Sequence, residues 1–223
     1  MEKQIVKILQ AEPVTHNVRR FKLQRPSAVS FIPGQAADIS INKGKWIDEK
    51  RPFTFTGLTD WDHLEFTIKI YNDHHGVTEQ LGMLKAGDEL IIHDVFGAIH
   101  YKGEGVFIAG GAGVTPFIAI LRQLERERRL GNNTLLCSNR TEADIILKEE
   151  FERMLGGRFI NTLTDQKTDR YDNRQIDATY LKEKFRNLSQ YFYICGPDPM
   201  VEAIDNALVS IGVDKSKIVI EQF

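Results

Sequence analysis

A glycine-rich segment at residues 110–116, Gly-Gly-Ala-Gly-Val-Thr-Pro, could bind a nucleotide cofactor. Glycine lets backbone N–H groups approach a pyrophosphate, and the N-terminus of a following helix adds partial positive charge. The spacing departs from the G-x-G-x-x-G pattern because Thr115 stands where the third glycine would lie, which argues against a standard Rossmann dehydrogenase. Taken alone, the segment could also be an ordinary tight turn between a strand and a helix.

A second candidate segment, Cys195-Gly196-Pro197, combines a thiol with two residues that bend the backbone and leave room for a planar ring. A lone cysteine is more often a small buried apolar residue. We expect that role for Cys137, which follows two leucines and has no evident partner.

A third candidate segment, residues 51–54, reads Arg-Pro-Phe-Thr. Arginine pairs with phosphate, a hydroxyl can hydrogen-bond a heteroaromatic nitrogen, and an aromatic ring packs on a sugar or another ring. Neighbouring His74 and His75 lack the spaced ligand cluster that a metal site requires, so we expect them to be loop residues and predict no metal.

The elements that would position these segments differ between the two halves of the chain. Before about residue 102 the apolar residues alternate with period two, most clearly in residues 63–71, and turn signals separate the runs. Many short amphipathic strands favour a closed antiparallel β-barrel. The predicted strands cover residues 4–9, 18–24, 37–41, 52–58, 63–71 and 89–95, and a helix is predicted to start near Gly76, capped by Thr78.

From Gly103 onward, short apolar strands alternate with helical patterns, which predicts a parallel sheet covered by helices. The predicted strands cover residues 106–109, 134–137, 158–163, 191–195 and 217–220. One predicted helix begins at residues 115–116, and three others cover residues 144–155, 180–188 and 198–210. We therefore predict two domains, residues 1–102 and 103–223. An open parallel sheet binds ligands at the carboxyl ends of its strands, where both the glycine-rich segment and Cys195 would lie.

Composition sets limits on function. The 223 residues include 29 Lys+Arg and 31 Asp+Glu, so the formal charge is −2, without the basic excess of a general nucleic-acid binder. Residues 105–121 are uncharged but contain four glycines and Pro116, which is unlike a membrane helix. The N-terminus has no apolar signal-peptide core, and two cysteines form no disulfide framework. We expect a cytoplasmic monomer.

Together, these segments resemble the ferredoxin–NADP reductase superfamily, in which a flavin-binding barrel precedes a pyridine-nucleotide domain. Residues 51–54 are similar to the family's Arg-x-Tyr-Ser/Thr flavin signature, with Phe53 in place of the usual tyrosine. The segment Gly76-Val77-Thr78 resembles the family's phosphate-binding turn, although His75 stands where glycine is common. Residues 110–116, residues 195–197 and a terminal aromatic, Phe223, resemble the family's nicotinamide loop, its cysteine motif and the residue that stacks on the isoalloxazine.

The resemblance implies a role for each matching position. Arg51 would hold the FAD pyrophosphate, Thr54 would hydrogen-bond near flavin N5, Cys195 would lie beside nicotinamide C4, and Phe223 would cover the flavin until nicotinamide displaces it. The implied catalytic residues are thus Thr54, Cys195 and Phe223. The implied cofactor-binding residues are Arg51, Pro52, Phe53, Thr54, Gly76, Val77, Thr78, Gly110, Gly111, Ala112, Gly113, Thr115, Pro116, Asn139, Arg140, Cys195, Gly196, Pro197 and Phe223.

The resemblance also implies the reaction: hydride passes from NAD(P)H to FAD, and electrons then pass singly to a separate protein such as flavodoxin or ferredoxin. Arg140, Lys167, Arg170 and Arg174 could meet the 2′-phosphate of NADPH. Residues 139–142 with 144–145, however, resemble the corresponding stretch of NADH-using cytochrome b5 and nitrate reductases, which favours NADH. A flavin-binding sensor or electron-transfer subunit without turnover and a plain nucleotide-binding regulator are the alternatives.

Overall fold

The computed structural model describes residues 3–97 and 99–220. The chain divides into two compact units, the first containing Met1–His100 and Thr115–Gln123, the second containing Tyr101–Val114 and Leu124–Phe223. No helix in the described ranges is long and apolar enough to cross a bilayer.

The first unit is built on six antiparallel strands in the spatial order β4-β3-β6-β1-β2-β5. The sheet closes on itself after β4, where Phe55 forms an antiparallel bridge to Phe66 and the N–H of Thr56 donates to the carbonyl of Glu65 at 2.8 Å. The elements are β1 (Gln4–Thr15), β2 (Val18–Gln24), β3 (Ala36–Ile41), β4 (Arg51–Thr54), β5 (His63–Lys69), α1 (Val77–Met83) and β6 (Glu89–Phe96).

The alternation in β5 explains which of its apolar residues enter the barrel core, but the strand is buried on both faces and the pattern predicts only one of them. Leu64, Phe66 and Ile68 point into the core as their spacing predicts. Their polar neighbours Glu65 and Thr67 are also buried, with 2% and 4% of their surface exposed. The second face of this strand is therefore covered as well.

The second unit holds a five-stranded parallel sheet in the order β11-β10-β7-β8-β9. The elements of this half of the chain are β7 (Gly105–Gly110), α2 (Thr115–Arg126), β8 (Thr134–Asn139), α3 (Lys148–Leu155), β9 (Phe159–Leu163), α4 (Ala178–Lys184), β10 (Tyr191–Cys195), α5 (Asp198–Ser210) and β11 (Ile218–Ile220). The predicted fold class, an antiparallel barrel followed by an α/β parallel sheet, is confirmed.

Three local predictions are wrong. The helix predicted from residue 144 begins at Lys148, because Thr141 and Asp144 form a capping box around a separate short turn and Leu147 then adopts a left-handed φ of 52°. The helix predicted over residues 180–188 is α4, which ends at Lys184. Thr78 does not cap α1, because the helix already begins at Val77 and Gly76 occupies the cap position.

Candidate cofactor-binding sites

The predicted dinucleotide segments lie side by side at the carboxyl edge of the parallel sheet. β7 pairs with β10 on one side and with β8 on the other, so Ala109 lies opposite both Cys195 and Cys137. The glycine-rich segment, the Cys195 segment and the end of β8 therefore leave the sheet from three adjacent strands. This is the edge at which open α/β sheets bind their ligands.

Two glycines of the loop are required by direct packing on the Cys195 segment. A Cβ added at Gly113 would lie 2.3 Å from the carbonyl oxygen of Cys195, and one at Gly110 would lie 2.3 Å from the sulfur of Met200 and 2.9 Å from Pro197. At Gly113 the opposing atoms are backbone, so only glycine fits without moving a loop; at Gly110 a Cβ would require Met200 and Pro197 to shift. From the sequence alone, these glycines were interpreted as making room for a ligand. In the structure, close packing of the neighbouring segment already accounts for glycine at these two positions. Met200 is not among the predicted site residues, although it packs on the glycine-rich loop.

The remaining glycine of the loop has a different environment. Gly111 adopts a left-handed φ of 51°, and a Cβ there would meet no atom within 4 Å. Residues 111–114 form a short 3₁₀ turn before α2, with Pro116 in the first turn of the helix, where its missing N–H is harmless. The backbone at Gly111 is therefore not covered by a neighbouring side chain or loop.

The two cysteines have different environments, as the sequence predicts. Cys137 is 4% exposed, and burial raises the pKa of its thiol far above the ordinary range, so it is an inert core residue. Cys195 is only partly buried at the end of β10, between exposed Pro197 and the buried strand. Cys195 is therefore not a core residue like Cys137.

Three of the four cations proposed to meet a 2′-phosphate, Arg140, Arg170 and Arg174, are paired with carboxylates. The guanidinium of Arg140, just after β8, donates to Asp165 at 2.7 Å, and this bond raises the pKa of the arginine and lowers the pKa of the aspartate. Two arginines further along the chain also form ion pairs, Arg170 with Glu152 at 2.6 Å and Arg174 with Glu183 at 2.8 Å. Sequence reasoning considered only the cations. Asp165 lies two residues after β9, and Arg140 directly follows β8, the strand that pairs with β9. These positions could have indicated that the two residues are neighbours.

In the first unit, the Arg51–Thr54 segment is strand β4, which pairs with β3. Phe53 packs against the barrel core and Thr54 is 9% exposed, while Pro52 is exposed. The Arg51 side chain is half exposed; it donates to its neighbour's carbonyl at 2.6 Å and lies 3.7 Å from Glu49. An outward-facing guanidinium of this kind can bind a phosphate without first being released from a buried ion pair.

The turn before α1 contains a residue other than glycine in the left-handed region. His75 adopts a φ of 49°, in the left-handed region that favours glycine, which explains why glycine is common there in the family. A Cβ at Gly76 would meet only one atom, at 3.8 Å, so the space in front of the helix is open. Val77 is buried and Thr78 is partly exposed. His74 and His75 are exposed loop residues, as predicted.

Two models of known domain families match the chain. An oxidoreductase FAD-binding domain matches residues 5–101, and an oxidoreductase NAD-binding domain matches residues 107–206. Both matches agree with the resemblance to the ferredoxin–NADP reductase superfamily, and the chain is an oxidoreductase with an FAD-binding and an NAD-binding domain. Its cofactors are FAD and a nicotinamide dinucleotide, and it is an NAD(P)H-dependent flavin oxidoreductase.

Relatives of this reductase have different acceptors in their names. NADH-cytochrome b5 reductase 1 of Kluyveromyces lactis is 29% identical over 92% of this chain and 78% of its own length. The reductase component of propane 2-monooxygenase from Mycolicibacterium smegmatis is 27% identical over 95% of this chain, which spans 65% of that relative. A ferredoxin NADP⁺ reductase from Neisseria gonorrhoeae with bound FAD and NADP shares the fold, with a TM-score of 0.83, 20% identity and coverage of 99% and 98%.

Phe223 lies outside the described residues. The described positions otherwise form two groups. One, on the barrel, contains Arg51, Pro52, Phe53, Thr54, Gly76, Val77 and Thr78, and the other, at the carboxyl edge of the parallel sheet, contains Gly110, Gly111, Ala112, Gly113, Asn139, Arg140, Cys195, Gly196 and Pro197. Thr115 and Pro116, at the start of α2, cluster with the first unit.

Proposed function

We propose that this reductase oxidises NADH and delivers the electrons one at a time to a small electron-transfer protein, with flavodoxin or ferredoxin as the leading class. FAD supplies the conversion from a two-electron donor to one-electron transfers. The chain's own residues bind the two cofactors, orient their rings and exclude water between them. We assign residues 1–102 to FAD and residues 103–223 to the nicotinamide nucleotide.

The proposed residue roles are those that the resemblance implies, and the environments of the described residues support them. Arg51 faces solvent and would pair with the FAD pyrophosphate, with the open turn at Gly76 as a second phosphate contact. Thr54, which is nearly buried in β4, would present its hydroxyl as a hydrogen-bonding group at a fixed position near flavin N5. Cys195 would pack beside the nicotinamide, and hydride transfer would require reacting atoms about 3–3.5 Å apart. Phe223 would cover the flavin in the absence of nicotinamide.

The ion pair between Arg140 and Asp165 carries the proposal that NADH is the preferred coenzyme. A carboxylate 2.7 Å from the guanidinium opposes a 2′-phosphate, but it can accept a hydrogen bond from a free 2′-hydroxyl. Because Arg170 and Arg174 are also paired, none of these three arginines stands without a carboxylate.

Replacing the carboxylate tests this coenzyme proposal. Asp165→Asn should lower the ratio of kcat/KM for NADH to kcat/KM for NADPH by about tenfold, the effect of roughly 1.4 kcal/mol. Glu127→Gln is the matched control, since it removes the same charge from an ion pair with Arg129, 2.8 Å long, that precedes β8 rather than following it. An Asp165→Asn ratio equal to that of the control would refute the proposal.

The acceptor is tested with a panel of one-electron proteins under NADH. We expect flavodoxin or a ferredoxin to be reduced with the highest kcat/KM. Cytochrome b5 is the second candidate, because a relative that covers 92% of the chain carries that acceptor in its name. Reduction of small dyes alone, with no protein acceptor reduced, would contradict the proposal of a protein partner.

The proposed setting is the cytoplasm. Both cysteines are free thiols, and Cys195, only partly buried, would have to stay reduced to lie beside a nicotinamide. Fractionation of the native cells, followed by NADH-dependent dye reduction, would show whether the activity lies in the cytoplasmic fraction.

A further inference from the structure

A buried ion pair holds helix α2 to the barrel strand β5. Arg122 donates to Glu65 at 2.6 Å, and their side chains are only 8% and 2% exposed. The same guanidinium donates to the backbone carbonyl of Thr56 at 2.8 Å and lies over the ring of Trp61, 5.4 Å from its centroid. The arginine therefore has three separate partners on the barrel.

The acidic partner is itself fixed by a hydroxyl network. The hydroxyl of Thr56 donates to Glu65 at 3.0 Å and lies 3.2 Å from the hydroxyl of Thr67, with both threonines buried. A buried charge is costly unless it is paired and hydrogen-bonded, and this carboxylate meets both conditions. The network gives the pair a single geometry rather than a range of them.

The sequence positions of these residues connect the pair to two of the candidate cofactor segments. Thr56 lies two residues after Thr54, so the carbonyl that Arg122 binds continues the flavin-binding strand. Arg122 lies six residues after Pro116, or about 9 Å along the helix, so the pair also fixes the start of α2. Residues 115–123 and the barrel strands cluster in the same unit, and Ile120 of this helix lies 3.2 Å from the position of a Cβ at Gly34.

We propose that the pair of Arg122 with Glu65 is a positioning device for hydride transfer, which sets Thr115 and Pro116 in register with Thr54. Neither charged residue touches a reacting atom. The proposal rests on the proposed function, since the register matters only if a nicotinamide bound at the start of α2 must meet the flavin. Both hydrogen bonds leave the same guanidinium nitrogen, Nη1, while the guanidinium as a whole lies over Trp61. Lysine has no planar group to stack on that ring, so it does not reproduce the full set of contacts.

Stopped-flow reduction of the FAD-loaded enzyme by NADH is the test, on wild type, Arg122→Lys and Glu65→Gln. At saturating NADH we expect about a tenfold slower flavin reduction in both variants, with the concentration for half-maximal rate changed less than twofold. Reduction by dithionite, which needs no nicotinamide alignment, should proceed at the wild-type rate. Arg153→Lys is the matched control, because its pair with Glu125 has the same length, 2.6 Å, but lies on the surface.

Because Glu65→Gln keeps a hydrogen-bonding side chain of the same size beside Thr56, it tests the register even if Arg122→Lys does not fold. Variants that lose thermal stability but reduce at the wild-type saturated rate would overturn the inference and leave the pair a structural one. Slower reduction by dithionite as well as NADH would also overturn it, since the defect would lie in the flavin site itself. A wild-type flavin that NADH does not reduce would overturn the proposed function, and this inference with it.

Discussion

The packing of the glycine loop on the Cys195 segment predicts the effect of a single added methyl group. In Gly113→Ala the new Cβ would lie 2.3 Å from the Cys195 carbonyl oxygen and 2.7 Å from the Cα of Gly196, where ordinary contacts begin at 3.4 Å. One loop must therefore move by about 1 Å relative to the other. A misplacement of about 1 Å at a reacting centre costs on the order of 10²-fold in rate, or roughly 2.7 kcal/mol of barrier.

The assay is anaerobic stopped-flow reduction of the bound flavin at saturating NADH. We expect Gly113→Ala to keep its FAD absorbance, because the barrel is untouched, and to reduce about 10²-fold more slowly than wild type. Gly156→Ala, at the end of α3, is the matched control, since alanine is strained there by about 1–2 kcal/mol at φ 55° but meets no atom within 4 Å. The control should retain a rate within a few-fold of wild type.

Two outcomes would refute this reasoning. Wild-type reduction by Gly113→Ala would mean that the contact between the two loops does not set the nicotinamide position. An equal loss in both variants would mean that a general effect of backbone strain, rather than packing between the loops, lowers the rate.

Three further predictions concern stability and the thiol. Gly34→Ala should lower the free energy of unfolding by about 1–3 kcal/mol more than Gly87→Ala in urea titrations, because both have φ near +95° but only the first would place a Cβ 1.9 Å from a carbonyl oxygen; equal losses would contradict this. Burial lowers the pKa of His93 below its ordinary 6.5, so the unfolded chain takes up a proton first as pH falls. The free energy of unfolding should therefore drop more steeply between about pH 7 and pH 5 in wild type than in His93→Gln. Parallel curves for the two proteins would exclude this. Cys195→Ala should slow flavin reduction by NADH while FAD stays bound, and an unaltered rate would rule out contact with nicotinamide.

The fold could be predicted because local patterns and the burial they imply agree over most of the chain. The alternation around Phe66 and the apolar run before Gly110 identify a barrel strand and a parallel strand with the faces that the structure buries. The start of α3 could not be predicted, because it depends on a side-chain capping box and on a left-handed φ at Leu147. Nothing in the sequence indicates a left-handed conformation at a leucine.

The candidate sites were predictable as segments but not as contacts. The sequence places Gly113 and Cys195 at one sheet edge, but the close approach of their backbones depends on loop conformations that the strand pattern does not fix. Arg140 was identified by its charge, and its partner Asp165 was missed because the pair forms across two strands, 25 residues apart. The buried pair of Arg122 with Glu65 was missed because its residues are far apart in the sequence and belong to different elements. Within its own helix or strand, each looks like an ordinary exposed polar residue.

The most direct test of the account is the anaerobic absorbance spectrum of the purified protein, recorded before and after addition of each coenzyme. The account predicts a yellow protein with FAD bands, which NADH bleaches at lower concentration and faster than NADPH. Yellow protein that neither coenzyme bleaches would contradict the account and favour a flavin-binding module without turnover. Protein that stays colourless after incubation with FAD would contradict the assignment of the barrel itself.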